Sequence, residues 1–160
     1  MSELEDLRAA VDELRDIEAI KTLKARYCHL VDAGCWDELA ELWTEDATCD
    51  YAFFGSYNGR DEIVNEFFRE LVASASSFNA HMVHNPLIEL TGDRAKGTWY
   101  LTAHTTNQPS NRAVWVMGLY RDEFERIDGS WKISSLEFEF RYFTPFEDGW
   151  AKTPMWEIPS

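Results

Sequence analysis

Two histidines stand three residues apart in Asn79-Ala-His81-Met-Val-His84-Asn-Pro86. Imidazole ordinarily titrates near neutrality, which suits it to give or take a proton at working pH. The flanking Phe78 and Leu87-Ile88-Glu89-Leu90 predict a strand. A strand alternates its side chains, so His81 and His84 point to opposite faces and at most one looks into a cavity alongside Met82. We assign His84 to that face and take it as the candidate base. A histidine without context is more often core filler or a surface residue, so the assignment depends on what else the chain offers it.

Asp32 is the partner of choice. It closes an apolar helical stripe just before Ala33-Gly34, at a helix C-terminus where the dipole disfavours a carboxylate. A carboxylate beside an imidazole fixes one tautomer and stabilises the imidazolium that forms. Tyr27 lies five residues earlier, about 140° round the helix, and shares a cavity with Asp32 only if that cavity wraps the helix end. Arg141, within Phe138-Glu-Phe-Arg141-Tyr-Phe, could hold a leaving group or a carbonyl oxygen. Its strand parity opposes Phe138 and Phe140, so an inward Arg141 needs a bulge or a strand end; a surface arginine paired with Glu137 or Glu139 is the plainer reading. His104 follows Thr98, Tyr100 and Thr102 on one side of its strand, and His29 reads as a surface or packing residue.

No metal site is expected, since His81 and His84 on one strand chelate poorly and there is no HExxH or cysteine cluster. There is no GxGxxG, Walker or GxSxG motif, so neither a nucleotide cofactor nor a serine nucleophile is expected. The net charge of −14, from 29 acidic and 15 basic residues, makes nucleic acid and anionic membrane poor partners. Cys28, Cys35 and Cys49 form no CxxC pair, which fits a reducing cytoplasm. The acidic amphipathic N-terminus is unlike a signal peptide, and no apolar run approaches a membrane span.

The elements that must position these groups read as follows. Ser2 and Glu5 form a capping box opening a helix over 2–15, with Leu4, Leu7, Val11 and Leu14 at helical spacing. A second helix runs from after Asp16 to Gly34, and a third from Trp36 to Trp43. A strand is predicted over 47–54, a helix from Arg60 to Ala73, and strands over 79–90, 94–106, 112–126 and 131–143. Helices followed by four long antiparallel strands indicate a single α+β domain, with helices on one face of a curved sheet that leaves a cavity. Its core spans about residues 10–146, with an irregular tail over 147–160 that Trp150 and Trp156 dock. The 14% aromatic content suits an apolar pocket, with Trp43, Tyr51, Phe53, Phe67, His104, Trp115 and Phe143 as candidate substrate contacts.

Tyr27-(four residues)-Asp32, then His84-Asn85-Pro86, then Arg141-Tyr142-Phe143-Thr144-Pro145 resembles the SnoaL-like family of the nuclear-transport-factor-2-like superfamily. Its enzymes include bile-acid 7α-dehydratase, hexachlorocyclohexane dehydrochlorinase and, more distantly, scytalone dehydratase. The resemblance spans about residues 10–146. It implies a cone-shaped α+β barrel with a deep apolar pocket, a His84–Asp32 dyad as base, Tyr27 as acid and Arg141 at the leaving group. It further implies a homo-oligomer, a trimer or a dimer. The expected activity is a cofactor-independent dehydration of a small hydrophobic ring, steroid- or polyketide-like. Dehydrohalogenation, isomerisation or cyclisation by the same base, and non-catalytic ligand binding are the alternatives.

Overall fold

The computed structural model describes residues 2–158. Helix α1 (Glu3–Ala33) is one uninterrupted element, where the sequence reading placed a break at Asp16. No proline or glycine lies between Ser2 and Gly34, so nothing stops propagation there. The Ser2–Glu5 capping box starts α1. Gly34, at φ 67°, ends it by turning left-handed, a backbone position that glycine occupies without strain. The first half of α1 exposes Leu4, Leu7 and Leu14, whereas Ile20, Leu23, Tyr27, Cys28 and Val31 in the second half are buried against the sheet.

Helix α2 (Trp36–Ala40) is shorter than expected, and β1 (Trp43–Asp50) begins earlier, at Trp43. A 3₁₀ turn (Ala52–Phe54) and the short β2 (Ser56–Asn58) follow. A continuous helical stretch comes next: α3 (Arg60–Glu62), a π-wound segment (Ile63–Val72) and α4 (Ala73–Ala75). Its inner face buries Ile63, Val64, Phe67 and Phe68.

Four long strands follow: β3 (Ser76–Thr91), β4 (Arg94–Asn107), β5 (Arg112–Ile127) and β6 (Ser130–Pro145). With β1 and β2 they form a single six-stranded curved sheet in the order β2-β1-β6-β5-β4-β3. Among the pairs of named strands, β1–β6 is parallel and the other four are antiparallel. The β5–β6 hairpin turns on Asp128 (φ 49°) and Gly129 (φ 79°), two successive left-handed residues that match the twist of the flanking strands. The architecture is α+β, with the helices packed on the concave face of the sheet.

Two bulges set which side chains face the concave side. In β3 the pairing runs from His84↔Tyr100 to Leu87↔Thr98, three residues on one strand against two on the other. The extra residue lies at Asn85-Pro86, where Asn85 has φ 50° and Pro86 has no N–H to give. In β6 the pairing steps from Met117↔Tyr142 to Gly118↔Phe140, which leaves Arg141 out of the ladder.

Candidate active site

A cavity of about 130 Å³ lies between α1, the Ile63–Val72 segment and the concave face of the sheet. The inner residues of β4 alternate strictly, so Leu101, Ala103, Thr105 and Asn107 face it. The β3 residues opposite Ala103 and Thr105 are His81 and Asn79, and both line the cavity.

The inward histidine is therefore His81, and the assignment of His84 to the cavity is corrected. His84 pairs with Tyr100 on the outer face and is exposed, as is Met82. The physical reason is the bulge at Asn85-Pro86. Downstream of it the even residues Ile88 and Leu90 pack inward; upstream the odd residues Asn79, His81 and Val83 do. Carrying the downstream parity through the bulge selects the wrong histidine.

His81 meets Asp32 twice. Its backbone N–H donates to Asp32 Oδ2 at 2.9 Å, and its ring Nδ1 lies 2.5 Å from Oδ1. A carboxylate can only accept, so Nδ1 is the donor in this bond, and in the neutral ring Nε2 keeps its lone pair. Asp32 sits at the end of α1 behind the imidazole and does not line the cavity itself. The strand N–H and the imidazole together satisfy the carboxylate that the helix dipole disfavours.

Three phenols occupy the same cavity wall. The Tyr27 and Tyr51 hydroxyls are 2.6 Å apart, and Tyr120 stands edge-on to Tyr27 with ring centroids at 6.2 Å. All three side chains are buried, and burial is the largest cause holding each phenol well above its ordinary pKa. They stay protonated and act as hydrogen-bond donors. Behind them Lys24 and Asp122 form a fully buried ion pair at 2.8 Å, with Lys24 Nζ 3.5 Å above the Tyr120 ring.

Arg141 does not reach the cavity. The bulge that an inward Arg141 would have required is present, but it expels the residue from the ladder, and the guanidinium pairs with Glu139 at 3.2 Å on the surface. Among the described lining residues no lysine, arginine or carboxylate appears. Of the aromatics singled out in the sequence, Tyr51, Phe67 and Phe143 line the cavity. Trp43 is buried one layer behind, edge-on to Tyr27. Phe53 is 53% exposed and packs on Phe140, leaving the lining to its neighbour Phe54. His104 and Trp115 contact each other on the outer face, since His104 stands opposite Trp115 and beside Ala80.

Sequence reasoning missed His81, Tyr120 and the polar residues Ser76, Asn79 and Thr105. Parity with Val83, read upstream of the Asn-Pro bulge, is the signal that would have found His81 and Asn79. Among the described residues no group of three or more His, Cys, Asp or Glu could hold a metal ion. No described helix is long and apolar enough to cross a membrane.

Comparison with known proteins adds lineage to this geometry. A SnoaL-like domain model matches residues 12–137. Hexachlorocyclohexane dehydrochlorinase 1 of Sphingobium indicum is 25% identical over 138 residues, covering 84% of this chain and 88% of that protein. A solved type 2 hexachlorocyclohexane dehydrochlorinase superposes with a TM-score of 0.81 at 25% identity, covering 86% and 93% of the two chains. A putative scytalone dehydratase of Novosphingobium aromaticivorans superposes with a TM-score of 0.77 at 23% identity, covering 84% and 89%, which shows a shared fold.

Proposed function

The chain belongs to the SnoaL-like domain family, and from that premise we propose that it is a lyase that removes water from a small, uncharged ring. The observation that carries this reading is the His81–Asp32 bond. It holds Nδ1 protonated and leaves Nε2 as a free base at the wall of an apolar cavity.

In the proposed reaction His81 Nε2 takes a proton from ring carbon, and the C–H electron pair becomes the new double bond. The adjacent C–O bond breaks, and the departing oxygen takes a proton from the Tyr27–Tyr51 pair and leaves as water. One hydroxyl of that pair donates to the other, so one proton remains to offer. Transfer of the imidazolium proton to the phenolate restores the site. Water is a better match than chloride because hydroxide needs an acid and chloride does not. A cavity of about 130 Å³ compares with the roughly 150 Å³ that accommodates benzene, which suits a single ring at the base. Loss of chloride is the second reading, favoured by the dehydrochlorinases among the relatives.

The test is a screen of monocyclic alcohols and chlorinated rings for elimination, followed by His81→Ala and His84→Ala. We expect His81→Ala to lose about 10²- to 10⁴-fold in kcat, the range for a general base, and His84→Ala to keep full activity. Normal turnover by His81→Ala rules out the proposed base. A product of unchanged mass points to an isomerase, and no turnover of any ring with retained binding points to a binding module.

A further inference from the structure

Four polar groups on the cavity wall form a chain of hydrogen bonds that runs in one direction. Ser76 Oγ donates to the Val72 carbonyl at 3.0 Å. With its proton committed, Ser76 Oγ accepts from Asn79 Nδ2 at 2.7 Å. That orients the amide, so Asn79 Oδ1 accepts from Thr105 Oγ1 at 2.8 Å. The chain stops there. Thr105 Oγ1 has spent its only proton and keeps acceptor lone pairs, while Asn79 Nδ2 keeps its second hydrogen. Ser76, Asn79 and Thr105 all line the cavity. Its wall thus presents one acceptor and one donor side by side. A hydroxyl group, which donates and accepts, satisfies both. A carbonyl, an ether or a halogen satisfies only the donor and leaves Thr105 unmatched.

Position sets where on the substrate that hydroxyl sits. Asn79 and His81 are two residues apart on one strand face, about 7 Å along β3. Thr105 stands opposite Asn79, and Ala103 stands opposite His81. Ala103 is a small inward side chain on the cavity wall and leaves room for a ring above it. A ring whose carbon meets His81 therefore places its far side at Asn79 and Thr105.

We propose that Asn79 and Thr105 are a specificity subsite for a second hydroxyl, retained through the reaction and carried on the ring across from the carbon that loses its proton. The substrate class is then a small uncharged ring with at least two hydroxyls. This inference rests on the proposed function for the direction of the substrate, but its test uses binding alone.

Fluorine NMR titrations would compare para-fluorophenol, para-fluorotoluene and para-fluoroanisole on the wild-type chain. These probes are similar in size and differ in whether they donate, do neither, or only accept. We expect the phenol to bind about ten-fold more tightly than the other two. Thr105→Val combined with Asn79→Leu, which removes the donor and both acceptors, should bring the phenol within two-fold of the toluene and leave the toluene unchanged. Thr105→Ser should keep the preference and guards against a folding defect. His81→Ala should also keep it. Equal binding of the three probes, no binding of the phenol up to its solubility, or a preference that survives the Thr105→Val and Asn79→Leu double variant overturns the subsite. Failure of the proposed base would show separately, as turnover by His81→Ala.

Discussion

Asp32 carries two jobs that a substitution can separate. Its Oδ2 holds the strand through the His81 N–H, and its Oδ1 fixes the imidazole tautomer. Asp32→Asn keeps the shape but offers a donor on one side, so the ring can turn its lone pair to Nδ1 and its proton to Nε2. We expect a loss of about 10²- to 10⁴-fold in kcat with an unfolding midpoint close to wild type, measured on the substrate found in the screen. The cysteines make a second residue-scale prediction. Burial pushes the Cys28 thiol up to about 11 and the Cys49 thiol up to about 12. Neither forms appreciable thiolate near neutrality, and thiolate is the reactive form. Cys35 is only half-buried. A thiol reagent at neutral pH should therefore label Cys35 first in the native chain, and all three in denaturant.

At the scale of elements, α1 is held to the sheet at both ends of its buried half. Asp32 ties the C-terminal end to β3. Asp16 ties the other end to β5 and β6: it accepts from Arg126 at 2.9 and 2.6 Å and from Trp131 Nε1 at 3.1 Å. The Arg126 hydrogen bonds hold the Asp16 carboxyl below its ordinary range. A carboxyl with a depressed native pKa stabilises above its unfolded value of about 3.9 and stops doing so as pH falls through the native one. Asp16→Asn should thus lower the urea midpoint at neutral pH, and the gap from wild type should close in acid below about pH 4. A gap that is the same at both ends would show that shape, not charge, is what Asp16 supplies. The bulges belong to this scale too. Asn85-Pro86 turns one face of β3 over halfway along, and the bulge in β6 leaves Arg141 in solvent while Phe140 and Phe143 both reach the cavity.

Across the whole molecule, the helix layer and the sheet are joined through the Lys24–Asp122 pair, fully buried beneath the phenols. Removing one partner strands the other charge in the core, at a cost of about 3–5 kcal/mol. Lys24→Met should show that loss in urea denaturation. Lys24→Met with Asp122→Leu should recover most of it, because no buried charge is left alone. A double variant as unstable as the single one would mean that the lysine matters for packing on Tyr120 and Tyr27 rather than for its charge.

Much of this architecture is legible in the chain itself. Period-two alternation and turn residues locate the four long strands to within a few residues, and apolar spacing locates the helices, because those signals act between near neighbours. The helix-end carboxylate at Asp32, the cavity phenols Tyr27 and Tyr51, and a histidine in the Asn79–Pro86 stretch could all be named without coordinates. Which histidine faces inward could not, because it depends on where one extra residue enters the ladder between β3 and β4. Nor could the exile of Arg141 or the pairing of Lys24 with Asp122, 98 residues apart (122 − 24). Local sequence determines which residues share a strand or a helix face. Only the packing of strand against strand, with its bulges, decides which face becomes the inside.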